Sequence, residues 1–85
     1  MSALPTDAQP ASRPADQLAS GKTAIVVELD AEPRDVERLN SLGLRVGATF
    51  RVQAAAPLFR IQLGGASLAL GPEWTRALRV VELSG

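Results

Sequence analysis

Cysteine and histidine are both absent from this 85-residue chain. Without cysteine there is no disulfide, no thiolate nucleophile and no thiolate metal site. Without histidine the commonest general base and the commonest transition-metal ligand are missing as well. Neither a Ser/His/Asp nor a Cys/His nucleophile system can therefore be assembled. Lysine occurs once, at Lys22, and the pair Gly64-Gly65 is not followed by Lys-Ser/Thr, so the chain carries no phosphate-cradling nucleotide loop. Glu28 and Asp30 could share a strand face as a carboxylate pair, but they lie among other acids and read as a solvated strand end. The chain is expected to be no enzyme and to hold no cofactor.

Long apolar runs are missing too. No stretch approaches the roughly 20 residues that span a bilayer, and the N-terminus lacks the basic start and the apolar core of about 7 to 15 residues that mark a secretory signal. The chain is expected to be soluble and cytoplasmic, with no direct membrane insertion. Formal net charge is zero, yet its distribution is uneven. Five acids, Glu28, Asp30, Glu32, Asp35 and Glu37, accompany Arg34 alone, whereas from Arg38 onward six arginines face only Glu73 and Glu82. Either a modest basic side or scattered solvated charges would follow from this pattern. Oxygen-only ligation by Asp30, Glu32, Asp35 and Glu37 would be weak, and transition-metal sites ordinarily use imidazole or sulfur. No metal site is expected.

Residues 1–20 hold three of the six prolines among Ala, Ser, Gln and Asp, with only Leu4 and Leu18 as sizeable apolar groups. Such a segment buries too little to offset its ordering entropy and is expected to be a disordered tail. Residues 21–85 then form the one domain, near the lower size limit for independent folding, where oligomerisation or a partner would add stability.

Within that domain, the β-branched run Thr23 to Leu29 predicts a strand covered on much of both faces. Pro33 suits a first helical position, and Asp35 and Glu37 complement the helix dipole. Val36, Leu39 and Leu42 recur at three-residue spacing and are expected to face inward. Gly43 ends the helix in the left-handed conformation, and Leu44 falls at the apolar position of a Schellman motif, packing back on Leu39. After Gly47, Phe50, Val52 and Ala54 alternate with Thr49, Arg51 and Gln53. A second alternating run, Phe59, Ile61 and Leu63, joins Ser67 to Leu70 through Gly64-Gly65, which predicts a tight type I′ hairpin. Glu73 to Arg76 predicts a helical turn. Leu78 to Leu83 predicts a last strand in which Leu78 and Val80 compete with Val81 and Leu83 for the inner face. Five short strands and one helix suggest a mainly β, small barrel whose closure removes sheet edges.

The ordered set Leu39-x-x-Leu42-Gly43-Leu44-x-x-Gly47, Ala56-Pro57-Leu58, Gly64-Gly65 and Leu68-Ala69-Leu70 resembles the ferrous iron transport protein A family, FeoA, over Gly21 to about Leu83. The resemblance implies an SH3-like barrel with one short α-helix inserted after its first strand. It also implies a small cytoplasmic accessory, in a family linked to transition-metal-ion binding, that serves a FeoB-type membrane iron transporter whose soluble part is a GTPase. Similar domains end some iron-dependent repressors. The motif glycines and leucines are expected to be structural.

Partner contacts are expected elsewhere. Leu58, next to Phe59, lies at a turn after Pro57, and Phe59 itself has the register of a core residue. Trp74 is either an interface anchor or a lid on a barrel end. Arg34 and Arg38 on the outer helix face, with Arg45 beyond it, could meet an acidic surface or stay solvated. Two other functions fit the same fold: a nucleic-acid-binding barrel using Arg51, Arg60, Arg76 and Arg79, or a regulatory domain acting in trans on an iron-dependent repressor. Neutral net charge, one lysine and few aromatics weigh against nucleic acid.

Overall fold

The computed structural model describes residues 12–83. Their elements are, in order, strand β1 (Arg13–Pro14), a 3₁₀ turn (Ala15–Gln17), β2 (Thr23–Leu29), helix α1 (Pro33–Ser41), β3 (Thr49–Ala54), β4 (Phe59–Leu63), β5 (Ala66–Leu70), helix α2 (Pro72–Ala77) and β6 (Leu78–Glu82). The strands form a single antiparallel sheet in the order β1-β6-β2-β3-β4-β5. This is a mainly β, SH3-like barrel with α1 inserted after its first long strand. Among the described residues the seam between the edge strands β1 and β5 is not closed by pairing; α2 packs against β1, β5, β6 and the 3₁₀ turn. The expectation that closure would remove every sheet edge is therefore corrected.

The alternation along β3 and β4 is realised as expected. Phe50, Val52, Phe59 and Ile61 are buried, while Thr49, Arg51, Arg60 and Gln62 face solvent. Phe59 is thus core. In β6 the competition for the inner face is resolved toward Leu78 and Val80, both fully buried.

Helix α1 begins at Pro33, its first bond running from the Val36 N–H to the Glu32 carbonyl. It ends in a full Schellman motif: the Leu44 N–H donates to the Leu39 carbonyl at 2.9 Å and the Gly43 N–H to that of Asn40 at 3.0 Å. Gly43 has φ +98°, which favours glycine, and a Cβ there would press on Leu63 Cδ2 at 3.0 Å. Leu39 and Leu44 are fully buried together. Leu42 is not: as the C-cap residue it is 50% exposed, and the expectation that it faces inward is corrected. In the β4–β5 hairpin only Gly64 has positive φ (+61°). That is the sign pattern of a II′ rather than a I′ turn, since I′ needs both central residues positive.

A larger correction concerns residues 12–20, assigned above to a tail. Arg13 and Pro14 pair with Val80 and Arg79, and Ala15 and Leu18 are buried in the core. Two side-chain ties hold this strap to β6: Arg79 Nη2 donates to the Ser12 carbonyl at 3.0 Å, and Arg13 forms an ion pair with Glu82. The folded unit therefore includes the strap as well as the five strands expected. Residues 1–11 of the expected tail lie outside the described residues.

Candidate functional site

Strand β2 carries a bulge. Val26 pairs with Val80 and Glu28 with the adjacent Arg79, so Val27 has no partner across the ladder and is 39% exposed beside an exposed Glu28. The β2 sequence was expected to be covered on much of both faces, and Val27, at the bulge, is an exception. Two backbone bonds latch the turn after α1 to the same place: Val26 N–H donates to the Ala48 carbonyl at 2.9 Å and Gly47 N–H to the Val26 carbonyl at 2.8 Å. Val46 is thereby fixed near Val27 and is 62% exposed.

These two valines, with Glu28 and Leu29 of β2, Val36 and Asn40 of α1, and Arg45, line an open groove of about 530 Å³. Its surface is mainly aliphatic. Arg45 is tethered by donation from Nη2 to the Asn40 carbonyl at 3.3 Å, where a cation also complements the helix C-terminus. Asn40 Oδ1 is buried with no hydrogen-bond partner among the described residues.

A second, smaller concavity of about 190 Å³ lies where the β3–β4 connection, α2 and the 3₁₀ turn meet, lined by Asp16, Pro57, Leu58, Phe59, Leu70 and Thr75 among others. Leu58 at its rim is 47% exposed. Trp74, on the same helix as Thr75, is partly buried against the core, the position expected of a lid. A third concavity, of about 360 Å³, is polar and includes Arg51, Gln53 and Gln62.

Of the residues expected to meet a partner, the structure brings Arg45 to the groove and Leu58 to the second concavity; these share no lining residue. Arg34 and Arg38 are exposed on α1 one turn apart, line neither, and form no ion pair among the described residues. Arg79 is engaged with Ser12, which removes it from the arginines offered for phosphate contact. Sequence reasoning missed Val27, Val46 and Asn40. Val46 had a visible signal, a large aliphatic residue in a turn between Gly43 and Gly47. Val27 and Asn40 had none, because a bulge and an orphaned amide oxygen arise only from tertiary pairing. Among the described residues no three Asp or Glu side chains cluster to hold a metal, and no helix is long and apolar enough to cross a membrane.

Residues 13–82 match the sequence profile of the FeoA domain. Among solved structures, an iron uptake regulatory protein (FeoA) superposes with TM-score 0.78 at 28% identity, over 85% of this chain and 97% of that one. A FeoA protein from Chlorobium tepidum superposes with TM-score 0.75 at 29% identity, over 85% and 71%. A manganese-dependent transcriptional repressor superposes with TM-score 0.78 at 26% identity, over 88% of this chain but 43% of its own. A search of curated proteins gives no significant match.

Proposed function

The chain belongs to the FeoA family, and on that premise we propose that it is a non-enzymatic, cytoplasmic accessory of ferrous-iron uptake that binds the cytosolic GTPase part of a FeoB-type membrane transporter. The observation that carries this reading is the aliphatic groove between α1 and the β2 bulge, with Glu28 and Arg45 among its lining residues. A groove of this composition suits a protein segment whose apolar side chains would cover Val27 and Val46. Arg34, Arg38 and Arg45 would favour an acidic rim on the partner. Such a binder changes a GTPase or a channel only by preferring one of its conformations, so its effect equals its differential affinity for them.

The test is retention of the transporter's purified cytosolic domain on immobilised protein. Native chain is expected to retain it and Val46→Asp to lose at least roughly tenfold in affinity, the effect of about 1.4 kcal/mol. No retention by the native chain overturns the proposal, and equal retention by Val46→Asp moves the contact away from the groove. The likeness to a manganese-dependent repressor supports a second reading, a regulatory domain acting in trans on such a protein. Capture of a repressor in place of the transporter domain would favour it. A nucleic-acid mobility shift that weakens steeply with salt would instead favour the phosphate-binding reading through Arg51, Arg60 and Arg76.

A further inference from the structure

The two edges of the sheet are built differently. At β1 the edge is two residues long and consists of an arginine and a proline, the features that discourage a further strand from pairing. At the other edge β5 runs Ala66-Ser67-Leu68-Ala69-Leu70, five residues with no charge and no proline, and among the described residues it pairs with β4 alone.

The register says which backbone groups are free. In a two-residue hairpin the closing pair, Leu63/Ala66, is hydrogen-bonded, and bonded pairs then recur at Ile61/Leu68 and Phe59/Leu70. The N–H and C=O groups of Ser67 and Ala69 therefore point away from β4, to the open edge. Ala66, Ser67 and Ala69 are exposed there, and Leu68 is only half-buried although it packs against the core.

We propose that β5 is a self-association edge: two copies of the chain pair β5 to β5, antiparallel about a two-fold axis through Leu68, joining two six-stranded sheets into one. Centred on Leu68, Ser67 faces Ala69 of the second copy and Ala69 faces its Ser67. Both of these are bonded pairs, so all four outward groups of each chain are satisfied at once. Leu68 meets its own counterpart in the closer, non-bonded pair and covers part of its exposed surface. A second copy is the occupant the strand fits best, because an uncharged edge opposes itself without repulsion and the isologous contact closes at two. One strand pair buries less than the ~1,200 Å² of stable complexes, so the dimer is weak and concentration-dependent.

Sedimentation equilibrium of the full chain over a wide concentration range tests this. The native protein is expected to pass from monomer to dimer, and the double variant Ser67→Lys/Ala69→Lys, which opposes two lysine pairs across the axis, to dimerise at least roughly tenfold more weakly. Because the chain has no cysteine, Leu68→Cys gives an independent check. A thiol facing its symmetry mate is within disulfide reach, so oxidation should yield a covalent dimer, while Thr49→Cys on β3 should not. A monomer at every concentration, an unchanged dimer in the lysine variant, or no preference for cross-linking at position 68 would each overturn the proposal.

Discussion

The Leu39–Gly47 turn and the Arg13–Leu18 strap both deliver fully or nearly fully buried apolar residues to one core, Leu39 and Leu44 from the first, Ala15 and Leu18 from the second. They are held by different physics. The turn is fixed by neighbours in sequence: two Schellman bonds within six residues and a positive φ at Gly43 that glycine adopts without strain. The strap is fixed by residues more than sixty positions away, through pairing with β6, the Arg79–Ser12 bond and the Arg13–Glu82 ion pair. Equal burial therefore does not mean equal robustness: local geometry persists when a neighbour is lost, whereas a docked strap leaves as a unit.

Truncating each region in turn breaks the comparison most directly. Leu39→Ala is expected to cost about 3–5 kcal/mol in urea unfolding, because Leu39 is fully buried in the core and the locked turn cannot collapse into the cavity. Leu18→Ala is expected to cost less, about 1–2 kcal/mol, since the loss is capped by the free energy of undocking the strap. Its signature is amide exchange that accelerates in residues 13–18 and in β6 ahead of global unfolding. Similar costs and uniform exchange for the two variants would erase the distinction. The smallest effect is expected at Glu82, which serves both Arg13 and Lys22, the latter at 3.5 Å. With these groups partly exposed, Glu82→Gln should lose under about 1 kcal/mol, and ~1 M salt should remove most of that difference in thermal melts.

The same contrast explains what could be seen in the sequence. Gly43 and Leu44 announce their roles because a Schellman motif spans few residues and has a composition of its own. The β4–β5 hairpin was legible from Gly64-Gly65, but its turn type was not, as two glycines tolerate either II′ or I′. Ala15 and Leu18 were hidden: set among Pro, Ser and Asp they resemble a solvated segment, and only β6 and α2 give them a surface to enter. Leu42 was misplaced because three-residue spacing drifts around a helix of 3.6 residues per turn, carrying its C-cap residue out to solvent. At the candidate site Arg45 and Leu58 were visible as exposed types beside turns. The groove itself was not, since it depends on the Val27 bulge bringing β2 against the turn that carries Val46.

Strand β6 lies between β1 and β2 in the sheet yet follows every other strand in the chain. During synthesis, which proceeds from the N-terminus, β1 and the far half of β2 emerge long before their shared partner exists. The hairpin β4–β5 and the α1 turn can form early on local contacts, but the sheet is joined through only once Leu78–Glu82 has been added. Assembly of this barrel is therefore a closing step rather than a gradual one, and a chain halted before β6 would present β1 unpaired and β2, paired with β3 alone, with one open edge.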